Sequence, residues 1–386
     1  MIQSPIYLDY NATTPCDPRV VEKMLPFFGE IYGNPSNGLH IQGRKSAKAV
    51  DDAREQVAGL ISARSNEVVF TSGATESNNL AILGIAHMRQ KSNRKRIVTC
   101  VVEHKAVLLP YKKLKENGFD VVFLSVDKNG RVSMDEARQA ISDTTLLVSI
   151  QGANNEVGTL QPVRELAKIA HQHRALFHCD AAQAVGKVPV NVDDLGVDLL
   201  SMSAHKLYGP KGVGALYVRG GSNSIPMEPI WYGGGQENGL RSGTTNVPGI
   251  VGFGEACSLA KLELETDFSR IQETRDQIET QLAFQIPSML INGKGAERLP
   301  NTSSLTFPGI DADALIFNAS EIMVGTGSAC TSGAIEPSHV LTAMGVSREN
   351  ASSTIRVSLG RFNKKEEIQA ITEVIKRAYH ILSSIS

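Results

Sequence analysis

The chain has 386 residues, 41% of them hydrophobic and 20% charged, which is enough for one large or two ordinary domains with a sizeable core. A net charge of −1 offers no basic field for gripping nucleic acid and no polybasic patch for an anionic membrane. No apolar run approaches the ~20 residues that span a bilayer, so small-molecule chemistry is the default expectation.

Taken from the N-terminus, Met1-Ile2-Gln3-Ser4-Pro5 lacks the charged-then-apolar pattern of a signal peptide, and a cytoplasmic protein is expected. Seven short β-rich runs then alternate with helical patterns, at 68–70, 96–101, 120–124, 146–150, 175–178, 199–203 and 214–218. This alternation predicts a mostly parallel α/β sheet with helices on both faces and active residues at the strand C-termini.

Several of these strand ends carry motifs. Thr71-Ser72-Gly73-Ala74-Thr75-Glu76-Ser77-Asn78 opens a helix, where backbone N–H groups and hydroxyls make a phosphate cup; a plain cap by Thr75 or Ser77 is the bland alternative. Glu103-His104-Lys105-Ala106 offers an imidazole to stack on an aromatic cofactor or to shuttle protons, or simply a polar loop residue. The amides of Asn154-Asn155-Glu156 suit a phenolic oxygen or a carboxylate, although turn formation explains them equally well. Asp180, before Ala181-Ala182-Gln183, can hold a ring nitrogen protonated or cap a helix. Lys206, in Ser203-Ala204-His205-Lys206 before a glycine-rich stretch, can form a Schiff base with an aldehyde cofactor or be a surface lysine. Asp180 and Lys206 on neighbouring strand ends favour the chemical readings together.

From 262 to 282 a charged amphipathic segment without glycine has helical periodicity and reads as a connector into a second unit. That unit has strands at 303–307 and 353–358 and a final helix at 364–382, a smaller α+β domain. Arg356, among small and apolar residues, needs an anion if buried, and a carboxylate clamp fits its fork. The five cysteines are widely spaced, odd in number and free of any Cys-x-x-Cys pair, against a disulfide or metal framework. Cys100 and Cys179 lie in apolar runs and read as buried small hydrophobes. Cys330 lies in Gly325-Thr326-Gly327-Ser328-Ala329-Cys330-Thr331-Ser332-Gly333, a small-residue segment that suits an accessible, reactive thiol.

In order from Tyr7-Leu8-Asp9-Tyr10-Asn11-Ala12-Thr13-Thr14-Pro15 to the final helix, these motifs resemble those of the class V aminotransferases, pyridoxal 5'-phosphate enzymes of fold type I, and among them the group I cysteine desulfurases. The resemblance implies a large cofactor-binding α/β domain over 16–260, with 1–15 and 261–386 forming a small α+β domain that carries the Cys330 loop. It implies Lys206 as Schiff-base lysine, Asp180 on the pyridine nitrogen, Gln183 on the phenolic oxygen and His104 stacked on the ring, with Asn155 beside the cofactor. Ala74, Thr75, Ser203 and His205 would hold the phosphate, with Thr244 reaching in from the second subunit of a homodimer. Asn34, Asn155 and Arg356 would bind the substrate carboxylate.

The implied reaction converts L-cysteine to L-alanine, with sulfur held as a persulfide on Cys330 and passed to an acceptor protein. Selenocysteine lyase and C–S lyase activity are the alternatives within enzymes. A non-catalytic sulfur-binding protein is the alternative outside them, opposed by the intact Lys206, Asp180 and Cys330. Ending at His380-Ile381-Leu382-Ser383-Ser384-Ile385-Ser386, the chain lacks the longer tail of the housekeeping branch, and Gly333 stands where that branch usually has alanine. These departures extend the expected roles from iron–sulfur cluster assembly to nitrogenase-type assembly or sulfur modification of DNA or tRNA.

Overall fold

The chain enters its fold through a two-residue strand, β1 (Ile6–Tyr7), before building the central sheet. A computed structural model describes residues 5–89, 93–326 and 337–384. The central strands are β2 (Val68–Thr71), β3 (Arg96–Cys100), β4 (Asp120–Leu124), β5 (Thr145–Gln151), β6 (Leu176–Asp180), β7 (Leu199–Ser203) and β8 (Gly214–Val218), in spatial order β2-β8-β7-β6-β5-β3-β4. Only β8 runs against its neighbours, so the sheet is mostly parallel, as the alternation of runs predicts.

Successive strand residues feed opposite faces. Ile97, Leu147 and Leu199 join a cluster with Leu80 and Tyr111, whereas Val98, Val148 and Leu200 join one with Leu166 and Phe253. Burial on both faces is why the strands read as continuous apolar runs rather than alternating ones. Cys100 and Cys179 are part of this core, and burial raises both thiols above their ordinary pKa.

Beyond the sheet, β9 (Leu290–Asn292), β10 (Thr302–Thr306), β12 (Gly325–Thr326) and β13 (Thr354–Ser358) form an antiparallel sheet in the order β12-β13-β10-β9, and β11 (Ile322–Met323) pairs in parallel with β1. A separate apolar cluster joins Ile6 and Leu8 to Leu305, Phe307, Ile355 and the final helix Ile368–Ser383. Val340, Leu341 and Met344 pack instead with the core of the large sheet.

The connector helix is longer than its charged stretch predicts. It spans Val247–Gln285, 39 residues, and begins where Asn246 Oδ1 accepts the Gly249 N–H. Its first third is rich in small residues because it lies tight against the helix Ile41–Leu60: a Cβ on Gly254 would fall 2.7 Å from Ala53 Cα. Glycines that look like breaks in a sequence are here the means of close packing. Among the described residues no helix is long and apolar enough to cross a membrane.

Candidate active site

Strands β2, β3, β5, β6 and β7 point the same way, so their C-terminal ends share one edge of the sheet. The chain leaving that edge carries Gly73, His104, Asn155, Asp180 and Lys206.

The helix Ala74–Met88 starts directly beyond β2 with Gly73 as its N-cap, and no side chain caps it. Neither Thr75 nor Ser77 therefore plays the bland capping role. Ser77 N–H makes an early intrahelical bond to Gly73 O at 3.1 Å, which leaves the N–H groups of Ala74 and Thr75 ahead of it at the positive end of the helix. Gly73 has φ 152°, and a Cβ there would come within 3.6 Å of Ser203 Oγ, so the serine at the end of β7 walls the same hollow. Glu76, an acid close to this anion-attracting end, is drawn aside by Arg241 Nε at 3.0 Å and the Ser72 N–H at 2.8 Å.

His205 and Lys206 occupy a single tight turn, Ala204–Lys206, immediately after β7. Thr14 donates to His205 O through both its N–H and its hydroxyl, each at 3.1 Å, and Thr13 Oγ1 lies 3.1 Å from His205 Nδ1. Burial, helped by Lys206, pushes the His205 pKa down to about 4, so the ring is neutral near pH 7. Lys206 Nζ donates to Asn11 O at 2.6 Å and Ala12 O at 2.8 Å. Tyr208, beyond it, takes a left-handed φ of 66° and is pinned by the Arg361 guanidinium 4.5 Å over its ring. The N-terminal motif thus clamps the lysine turn, and Arg361 pins Tyr208 just beyond it.

Asp180 ends β6 and is buried. Its Oδ1 accepts the Ala182 N–H at 3.0 Å and its Oδ2 accepts Asn78 Nδ2 at 2.7 Å. Gln183 Nε2 donates to Asn11 O at 2.9 Å, the carbonyl that Lys206 also uses. His104 caps the helix Lys105–Glu116, with Nδ1 accepting the Ala106 N–H at 3.1 Å, which leaves Nε2 to carry the proton of the neutral ring. Desolvation lowers the His104 pKa, Asp180 opposes this and Lys206 adds to it, so the three groups sense one another across the site. Beneath it, Glu103 is fully buried and desolvation raises its pKa well above 4.5; Oε1 accepts the Gln151 N–H at 2.8 Å and Oε2 has no partner among the described residues.

Asn154 makes the turn itself, its Oδ1 accepting the N–H groups of Glu156 and Val157. Asn155 O accepts Arg356 Nη1 at 3.0 Å, and Asp9 Oδ1 accepts Arg356 Nη2 at 2.6 Å. The buried Arg356 keeps Nε without a partner among the described residues. Asn34 is exposed, and its Oδ1 accepts the Ser36 N–H at 2.9 Å; no hydrogen bond among the described residues ties it to Arg356. Thr244 is also exposed. Cys330 lies outside the described residues.

Three residues with central positions carry no role in the sequence reading: Asn11, Asn78 and Lys187. Asn11 is buried and its Nδ2 donates to Asn155 O and Thr302 Oγ1, while its Oδ1 accepts from Asn301 and Lys187. It joins the strand-end edge to the smaller sheet. Asn78 sits among apolar residues on the inner side of its helix, and such a polar interruption is the one signal that could have revealed it.

A helix N-terminus free to take phosphate, a carboxylate held for a ring nitrogen, and an amine within a clamped turn are the donor set that a phosphorylated pyridine aldehyde requires, and the glycine cradle at residue 73 leaves space for it.

Comparison with known proteins agrees. Residues 6–371 match the aminotransferase class-V family. A cysteine desulfurase IscS of Anaeromyxobacter sp. (strain Fw109-5) is 46% identical over 99% of this chain and 94% of its own length. A solved NifS-like protein superposes with TM-score 0.90 at 40% identity, covering 98% of this chain and 100% of that one. SspA in complex with cysteine does so with TM-score 0.82 at 39% identity, covering 93% and 100%.

Proposed function

The chain belongs to the class-V aminotransferase family and is a pyridoxal 5'-phosphate-dependent cysteine desulfurase, and from that premise we propose how its residues divide the work. When bound, the cofactor supplies an aldehyde carbon that captures amines and a ring that accepts an electron pair. Ala74, Thr75, Ser203 and His205 hold its phosphate, Asp180 keeps a proton on the ring nitrogen, Gln183 donates to the phenolic oxygen, and His104 covers the ring, with Asn155 alongside. Lys206, the amine displaced by L-cysteine, carries the proton taken from Cα. Asn34, Asn155 and Arg356 hold the substrate carboxylate; the Nε of Arg356, without a partner among the described residues, supports an anion there.

Cys330 takes the sulfur. Its thiolate forms an S–S bond with the substrate sulfur as the Cβ–S bond breaks, leaving a persulfide on the enzyme while the three-carbon fragment gains a proton and departs as L-alanine. The persulfide then passes to an acceptor protein, in iron–sulfur cluster assembly or in sulfur modification of DNA or tRNA.

We also propose a homodimer completed at the phosphate by Thr244 of the second copy. Support comes from the exposure of Thr244 and from the exposed Leu25, Phe28, Tyr32, Leu39 and Ile41, an apolar run of the sort that interfaces cover. A thiol that must cycle through a persulfide suits the reducing cytoplasm. The small unit, 1–15 with 261–386, is proposed to carry the sulfur-accepting loop.

The observation that carries this reading is the meeting of Lys206 and Gln183 on the carbonyl of Asn11, next to the strand-end carboxylate Asp180. In the test, purified holoenzyme given L-cysteine yields L-alanine, and Cys330→Ala keeps the cofactor absorbance but forms no persulfide. Multiple turnovers by Cys330→Ala overturn the assignment, and pyruvate with ammonia as products points to a C–S lyase.

A further inference from the structure

Behind Gln183 stands a lysine to which the reaction as described gives no task. Lys187 Nζ donates to Gln183 Oε1 at 2.5 Å and to Asn11 Oδ1 at 3.1 Å. Enclosure, and after it the neighbouring positive charges of Lys206 and Arg356, lower its pKa well below 10.5. An amine kept at such a cost needs compensation, and the two side-chain carbonyl oxygens provide it.

The consequence falls on Gln183. The two ends of a glutamine amide have nearly the same shape, but one donates and the other accepts, so the surroundings decide which way it faces. The contact to Asn11 O at 2.9 Å selects a donor, yet Lys206 Nζ competes for that carbonyl at 2.6 Å. The contact at the other end has no competitor for Oε1 among the described residues. Asn11 meets Gln183 through its main-chain carbonyl, which can only accept, while its side-chain Oδ1, also held by Asn301, keeps Lys187 in place as a donor. With Oε1 turned to Lys187, both N–H bonds of Gln183 lie at the other end of the amide: one is used by Asn11 O and the second is left for a further acceptor.

We propose that Lys187 is a positioning residue that locks the Gln183 amide with its N–H presented to the phenolic oxygen of bound pyridoxal phosphate. This rests on the reading that Gln183 meets that oxygen. Without Lys187 only the Asn11 carbonyl, which Lys206 shares, orients the amide, and the orientation that presents an oxygen to an oxygen gains population.

An N–H on the phenolic oxygen favours its ionised form and weakens its hold on the adjacent nitrogen's proton, so loss of that N–H raises the pH midpoint of the cofactor's visible absorbance. The experiment titrates this absorbance in the wild-type, Gln183→Ala, Lys187→Met, double-variant and Lys187→Arg holoenzymes. Gln183→Ala is expected to raise the midpoint by about one pH unit, the scale of one hydrogen bond to an ionised oxygen. Lys187→Met should raise it in the same direction but by less, the double variant no further than Gln183→Ala, and Lys187→Arg should restore it. An unmoved Lys187→Met midpoint, or additive shifts in the double variant, overturns the inference and leaves the Gln183 reading standing. An unmoved Gln183→Ala midpoint overturns both. Lys187→Leu, read in the same way, replaces Lys187→Met if that variant does not fold.

Discussion

Asn78 and Asp180 are buried against each other, with Asn78 Nδ2 donating to Asp180 Oδ2 at 2.7 Å. The other carboxylate oxygen relies on the Ala182 N–H. Asn78→Ala strips half of this support and should cost about 1–3 kcal/mol of stability, the penalty for a buried charged acceptor losing a donor. Urea unfolding of the cofactor-free protein reads that loss. Retention of pyridoxal phosphate on dialysis should weaken in parallel, and a variant matching wild type in both measurements refutes a supporting role for Asn78.

Glu156 gives stability a pH dependence of unusual sign for a carboxylate. Burial raises its pKa from 4.5 to about 7, while the Ser338 hydroxyl donates to its Oε2. The folded protein therefore holds this proton where the unfolded chain has lost it. Its contribution is fully present below pH 4.5, declines as pH rises, and is gone above about pH 7. The span corresponds to about 3 kcal/mol. Glu156→Gln keeps an acceptor for Ser338 without a titrating proton, so the difference between variant and wild-type denaturation free energies should grow in favour of the variant across that window. A difference independent of pH rules the effect out.

Gly254→Ala sets two tendencies against each other. Alanine favours a helix by about 1 kcal/mol over glycine, but its Cβ would fall 2.4 Å from Gln56 Oε1 and 2.7 Å from Ala53 Cα. Because one of the opposing atoms is backbone, the clash should win and destabilise the protein by about 1–3 kcal/mol. Thermal unfolding decides the sign, and a stabilised variant disproves the close approach.

Arg356→Lys retains the positive charge and loses the fork that now spans Asn155 O and Asp9 Oδ1. The KM for L-cysteine should rise roughly 10- to 100-fold, the scale of one charge-assisted hydrogen bond, with kcat much less affected. Steady-state alanine formation checks this, and an unchanged KM removes Arg356 from the carboxylate site.

Much of the architecture was legible because the strands are buried on both faces, which turns them into short apolar runs that helical segments separate. Lys206, Asp180 and the segment beginning at Thr71 stood out because each ends such a run. The start of the long helix did not, since Gly249, Gly252 and Gly254 look like breaks until the facing helix is present to need them. Asn11 and Lys187 escaped for a different reason. Their importance lies in bonds to Gln183, Asn155, Asn301 and Thr302, which only the folded chain brings near, and no local spacing encodes such a meeting. Asn154 makes the turn, one of the two readings of its motif, whereas Asn155 lends its main-chain carbonyl to Arg356, a contact that neither reading contains.

The helix Val247–Gln285 gives Ile250, Phe253 and Cys257 to one apolar cluster and Ile278 and Leu282 to another. At 39 residues it is a rod of about 58 Å that neither core owns. Melting either core removes a scaffold of the other, which couples their unfolding. The cofactor hollow and the smaller sheet are therefore expected to melt together in calorimetry of the cofactor-free protein, and two resolved endotherms rule the coupling out.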